Sequence, residues 1–93
     1  KKYSKQFGVD IDLVYAIIER ESGFKDIKVY EKTINEYAYG VMQIIYATAK
    51  GLGYTGEKED LVKPENSLYY GIKFLGILTK KYKGNTDEQI YFR

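Results

Sequence analysis

The stretch "GVDIDLVYAIIERESG", residues 8–23, decides how the chain is read. Val14, Ile17 and Ile18 recur at three- and four-residue spacing, so they share one face of a helix. Asp10 or Asp12 can cap its start, and Gly23 supplies its stop. Glu21 follows Ile18 by three and Ile17 by four, so its side chain leaves the helix on that same apolar face. Glu19 and Arg20 are then expected to point elsewhere, toward water. A carboxyl group that loses hydration prefers its neutral, protonated form. A carboxylic acid held protonated is what a general acid for glycosidic cleavage requires. The plainer alternative is a polar last helical turn before a glycine cap, and spacing alone leaves both open.

The composition narrows the chemistry. Ninety-three residues make at most one small domain, and with no Cys and no His there are no disulfides, thiolate or imidazole metal sites, or His-dependent triads. No cofactor and no metal is expected, so catalysis must rest on carboxylates, hydroxyls, Tyr, Lys, Arg or backbone amides. Fifteen Lys and Arg are interspersed with thirteen Asp and Glu, which gives a nucleic-acid partner little support. Eleven tyrosines, flat rings with a polar tip, suit half-buried walls and sugar or peptide grooves. No apolar run reaches membrane-spanning length.

Along the chain, the pattern predicts a short helix over residues 1–7 ended by Gly8, then the helix just described. Residues 24–39 read as loop, with no clean strand alternation. A further helix is expected over residues 41–50, between Gly40 and Gly51, and a polar, turn-rich stretch over 54–64. The next helix starts near Asn66 or Ser67, carries Leu68, Ile72, Leu75, Leu78 and Tyr82 on one stripe, and stops at Gly84. "NTDEQIYFR", residues 85–93, opens a last helix with a capping box from Thr86 to Gln89. With no stop signal before Arg93, residues 1–93 read as a single domain and a fragment of a longer chain.

Three motifs in order carry a family resemblance. "ESGF" at residues 21–24 is followed by "YGVMQIIYATAKGLG" at 39–53 and by "DLVKPENSLYYGIKFLGILTKKYKGN" at 60–85. Together they resemble the lytic transglycosylase (SLT) domain family of the goose-lysozyme-like kind, over nearly the whole chain. That resemblance implies a mainly α, lysozyme-like fold (the α+β lysozyme superfamily), truncated at the C-terminus. It implies a peptidoglycan lytic transglycosylase that cleaves the MurNAc-β-1,4-GlcNAc bond and forms 1,6-anhydro-MurNAc, with Glu21 as the catalytic acid and then base. The partner it implies is the peptidoglycan glycan strand, met by a monomeric domain in the bacterial periplasm or cell envelope, or carried on a phage particle. A hydrolytic muramidase and a non-catalytic glycan-binding or assembly module are the competing readings.

The same resemblance marks Gly40, Met42 and Gln43 as groove residues, with Ser22, Tyr37 and Tyr39 as further candidates for contact with substrate. Gln43 can donate and accept hydrogen bonds, which suits an N-acetyl group. Each has a structural alternative: core packing for Met42, a turn for Gly40, and satisfaction of helix-end carbonyls for Ser22. Asp26, Glu31 and Glu36 are the acids that could supplement Glu21, and each also reads as a solvated loop charge. The chain departs from the family pattern in three places. Residues 24–39 form a longer loop that lacks the usual Ser-Pro, with Thr33 or Asn35 as replacements for that Ser. Tyr46 stands where Pro is common. The Ala-Tyr-Asn-Ala-Gly segment expected after Gly84-Asn85 would begin beyond Arg93.

Overall fold

The computed structural model describes residues 2–81. Helix α1 covers Lys2–Gln6 and α2 covers Ile11–Ser22. A three-stranded antiparallel sheet follows, from β1 (Lys28–Glu31), β2 (Glu36–Tyr39) and β3 (Ile44–Ile45), in that order. Then come α3 (Tyr46–Gly51), a 3-10 turn at Glu59–Val62, and α4 (Pro64–Lys81). The fold is mainly helical with one small sheet, the lysozyme-like class expected from the sequence.

Helix α2 forms where its sequence signals place it. Asp10 caps it, its carboxylate accepting from the Asp12 N–H at 3.0 Å. At the other end Gly23 turns left-handed at φ +62°, and its N–H donates to the carbonyls of Glu19 and Ile18. The stripe of Val14, Ile17 and Ile18 is buried against Met42 and against Ile72, Leu75 and Leu78 of α4. Each such side chain removed from water contributes about 1.5–3 kcal/mol. A second cluster, Tyr39, Ile44, Ala49, Tyr54 and Leu61, lies where the sheet meets α3 and the 3-10 turn.

Three expectations are corrected. Residues 24–39 are not all loop: Lys28–Glu31 and Glu36–Tyr39 form a hairpin, with Thr33 and Asn35 in its turn. Most of the hairpin is exposed on both faces, so no buried side imposes the apolar alternation that marks a strand. The helix expected over residues 41–50 is only Tyr46–Gly51. Gly40–Gln43 is instead a tight turn, closed by the Gln43 N–H on the Gly40 carbonyl at 3.1 Å, and it leads into β3. Tyr46 is the first residue of α3, a position where proline is also at home. Finally, α4 begins two residues before Asn66, at Pro64, whose fixed φ suits a first helical position. The expected stop at Gly84, Tyr82 on the stripe and the helix capped at Thr86–Gln89 lie outside the described residues.

Gly40 is where sheet, 3-10 turn and α4 meet. Its φ is +79°, and a Cβ there would sit 2.3 Å from the Ser67 Cβ and 3.0 Å from the Leu61 carbonyl oxygen. Gly71 allows a similar approach, since a Cβ on it would lie 2.7 Å from the Met42 sulfur. Replacing Gly40 by Ala adds backbone strain to overpacking, and is expected to lower unfolding free energy by about 2–4 kcal/mol. Urea denaturation of Gly40→Ala beside the unaltered chain checks this.

Burial, with Asp60 nearby as a lesser cause, raises the pKa of the Tyr54 phenol; burial also raises that of Tyr39, together with Glu59. The Tyr54 hydroxyl donates to the Glu57 carbonyl at 2.6 Å. Below the ordinary phenol pKa of 10.0, folded and unfolded chains both hold these protons. Above it the unfolded chain ionises first, so stability falls with rising pH until the folded phenols ionise too. Unfolding midpoints measured on either side of pH 10 are expected to show this fall, and Tyr54→Phe is expected to make it shallower.

Candidate active site

The last turn of α2 carries the candidate acid. The Glu21 side chain is only 3% exposed, as its place on the apolar stripe predicts. Arg20 departs from expectation. Consecutive helical residues do not face one another, yet the long Arg20 side chain curls back and both Nε (3.1 Å) and Nη2 (2.7 Å) donate to Glu21 Oε2. The guanidinium is 42% exposed in its side chain, so one end of the pair meets solvent while the carboxyl is shielded. Nothing in the apolar periodicity announces this partner; its only signal is an arginine adjacent to the acid.

Ser22 fixes the helix end to the turn that follows the hairpin. Its hydroxyl lies 3.1 Å from the Ile18 carbonyl and 2.7 Å from the Val41 carbonyl. The second contact crosses from α2 to the Gly40–Gln43 turn, so Ser22 holds the two parts of the site together. This is the helix-end role weighed for it from sequence, extended to a second element. The Ile27 carbonyl provides the other fastening, accepting from the Gly40 N–H at 2.7 Å and from Gln43 Nε2 at 3.1 Å.

Gln43 is 2% exposed and its amide also donates to the Gly40 carbonyl at 2.9 Å. Its donor hydrogens are thus spent on backbone, and they secure a left-handed conformation at φ +53° that is uncommon outside glycine. Met42 is fully buried in the main core, between α2 and α4. Gly40 is buried as well, beneath Ser67. Tyr39 is 3% exposed and belongs to the second core cluster. Met42 takes the core packing and Gly40 the turn weighed for them from the sequence, and with the buried Gln43 and Tyr39 they shape and brace the turn that Ser22 ties to the end of α2. Tyr37 differs, with its ring 42% exposed on β2.

The hairpin acids are separated from Glu21 along the fold. Glu31 and Glu36 face each other at the far end of the hairpin, remote from the strand ends that adjoin α2. Asp26 is exposed and lines a cavity of about 410 Å³ with Tyr15, Ile18, Phe24 and Val41. A hollow of about 460 Å³ lies between α1 and α4, beside Phe7 and Lys73. Glu21 lines neither, so the acid is singled out by its own shielding and its arginine partner. Among the described residues no group of three or more acids could hold a metal ion, and no helix is long and apolar enough to cross a membrane.

The Ser22 link predicts a measurable loss. In Ser22→Ala the Val41 carbonyl loses its partner in a partly buried place, at a cost of about 1–3 kcal/mol. Amide hydrogen exchange is expected to speed up at Gly40 and Gln43, whose N–H groups donate to the Ile27 and Gly40 carbonyls and hold this turn.

Comparison with known proteins agrees with this geometry. The profile of the "Transglycosylase SLT domain" matches residues 1–91. The "Membrane-bound lytic murein transglycosylase C" of Glaesserella parasuis serovar 5 (strain SH0165) is 33% identical over 94% of this chain and 25% of its own length. Proteins of the same description from Sodalis glossinidius (strain morsitans) and Edwardsiella ictaluri (strain 93-146) are each 32% identical. They cover 90% and 98% of this chain, and 24% and 27% of their own lengths. The chain therefore spans about a quarter of the length of these curated relatives. No solved structure matches. By its profile match and its relatives, the chain belongs to the transglycosylase SLT domain family.

Proposed function

We propose that residues 1–93 act as a catalytic domain of a peptidoglycan lytic transglycosylase, with Glu21 as its single acid and base. The observation that carries this is a shielded carboxyl at the end of an apolar helix stripe, in a chain of the SLT family. The relatives' description as membrane-bound lytic murein transglycosylases supports the substrate class and a place of action at the cell envelope. The domain needs no second subunit for this chemistry and is proposed to work as a monomer.

Glu21 first donates its proton to the glycosidic oxygen as the bond from C1 of N-acetylmuramic acid to that oxygen breaks. Positive charge develops at C1, and the sugar's own acetamido group stabilises it, which removes the need for a second protein carboxylate. The distal placement of Glu31 and Glu36 is in keeping with one acid. Glu21, now a carboxylate, takes the proton from the 6-hydroxyl as O6 attacks C1. The C1–O6 bond closes a 1,6-anhydro ring, the proton returns to Glu21, and no water is consumed. Arg20, whose Nη2 lies 2.7 Å from Glu21 Oε2, partners the carboxylate that stands between the two steps.

Incubation with isolated peptidoglycan sacculi tests this. The released muropeptides are expected to be one water lighter than hydrolysis products when weighed by mass spectrometry. Glu21→Gln is expected to lower their release by at least about a hundredfold, the usual worth of a general acid–base group. Hydrated products that depend on Glu21 would assign the attack to water and overturn the anhydro step. Release undiminished in Glu21→Gln would remove Glu21 from the mechanism.

A further inference from the structure

We propose that the face shared by α1 and the second half of α4 is a docking surface for an anionic lipid membrane, with Lys5, Lys73 and Lys80 set around the exposed Ile77. This rests on the place of action proposed above, the cell envelope. The first observation is how the two helices meet. A Cβ on Gly76 would lie 3.1 Å from the Phe7 carbonyl oxygen, so the chain leaving α1 crosses α4 closely at a glycine. The hollow of about 460 Å³ beside this crossing is lined by Lys5, Lys73, Ile77 and Lys80. Positions 73, 77 and 80 follow four- and three-residue spacing, so they share one face of α4.

The second observation is the charge. No Asp or Glu lines the hollow. Helix α1 and residues 66–81 hold Lys2, Lys5, Lys73, Lys80 and Lys81, and no acid. The acids that flank these segments in the chain are Asp10, which caps α2, and Glu65, in the first turn of α4 at the end remote from Gly76. No described acid lies within ion-pair distance of Lys5, Lys73 or Lys80; the Arg20–Glu21 and Lys63–Asp60 pairs involve none of them. A surface of one sign in a chain whose charges are otherwise interspersed is drawn to a surface of the other sign.

The third observation is the apolar centre of this basic face. Ile77 is 45% exposed between Lys73 and Lys80. Lys73 Nζ donates to the Leu52 carbonyl at 2.9 Å and lies 5.9 Å from the Tyr69 ring centroid, which fixes one ammonium at the edge of the hollow. Lys5 and Lys80 are exposed, and stems of that length carry the ammonium to a charged layer while their methylenes lie along apolar surface. A soluble anion would use the charges alone. A lipid layer offers phosphates to the ammoniums and, just beneath them, hydrocarbon to Ile77, so it uses both. Glu21 does not line this hollow, so the membrane and the bond to be cut are met by different residues.

The test is co-sedimentation of the full chain with vesicles of phosphatidylcholine alone, or of phosphatidylcholine and phosphatidylglycerol in equal parts. Binding is expected to the mixed vesicles and to weaken as salt rises. Lys5→Gln/Lys80→Gln is expected to bind roughly fivefold more weakly for each lysine removed, and to lose part of the salt dependence. Ile77→Ser is expected to bind more weakly with the parent's salt dependence kept. Lys28→Gln/Lys32→Gln removes the same charge from the hairpin, and is expected to bind as the parent does. Far-UV circular dichroism establishes that each variant keeps the fold; should the Lys5/Lys80 variant lose it, Ile77→Ser and the parent's preference between vesicles decide. Equal weakening in the two double variants would make net charge the cause and overturn the face. A parent that ignores the mixed vesicles, or binds both kinds alike, would overturn it too. Vesicle binding without release of muropeptides from sacculi would keep this face and remove the proposed reaction, and the reverse would remove the face alone.

Discussion

The contact of Gly40 with Ser67 and the Leu61 carbonyl is the constraint on which the rest of the structure depends. The chain passes there too closely for any side chain, and in a left-handed conformation that glycine adopts without cost. This approach lets β2 end against α4 and the 3-10 turn, and lets the tight turn at residues 40–43 reach back toward α2. Hydrogen bonds from Ser22, Gly40 and Gln43 then bind that turn to the helix end and to Ile27. The Ser67 hydroxyl, fully buried in the same contact, has no hydrogen-bond partner among the described residues. An unpaired buried hydroxyl is unfavourable, so this close packing is kept at some cost in stability.

Around that junction the site has two kinds of part. Glu21 and Arg20 belong to the last turn of α2, the carboxyl shielded and the guanidinium side chain partly in solvent. Met42, Gln43, Gly40 and Tyr39 are the support: buried, bonded to backbone or packed in the core, they keep the turn in place beside the acid. Gln43 shows the arrangement, since the hydrogen bonds it makes hold an otherwise unfavourable backbone conformation in the turn next to Ser22 and Glu21.

The hairpin contrasts with this core. Its base, Ala38 and Tyr39, is buried, while the residues toward its tip are exposed. It adds little to the hydrophobic clusters, so the aromatic rings on its outer face are not explained by packing.

The sequence by itself determined α2, from its Asp10 cap to its Gly23 stop, because both signals act through neighbours within a few residues. It determined that Glu21 shares the buried stripe, since helical period alone sets that, and it determined the apolar face of α4 through Leu78. Three ordered motifs were enough to place the family. The hairpin, the tight turn and the shortened α3 were decided by tertiary structure. An exposed hairpin imprints no apolar alternation on its residues, and Gly40–Gln43 bends as it does because Ser67, Leu61 and Ile27 lie far from it in the chain and close to it in space. The same holds for the site. Periodicity marks Glu21, but which carbonyls Gln43 meets, and whether Arg20 reaches water or Glu21, depends on which partners the folded chain brings within hydrogen-bonding distance.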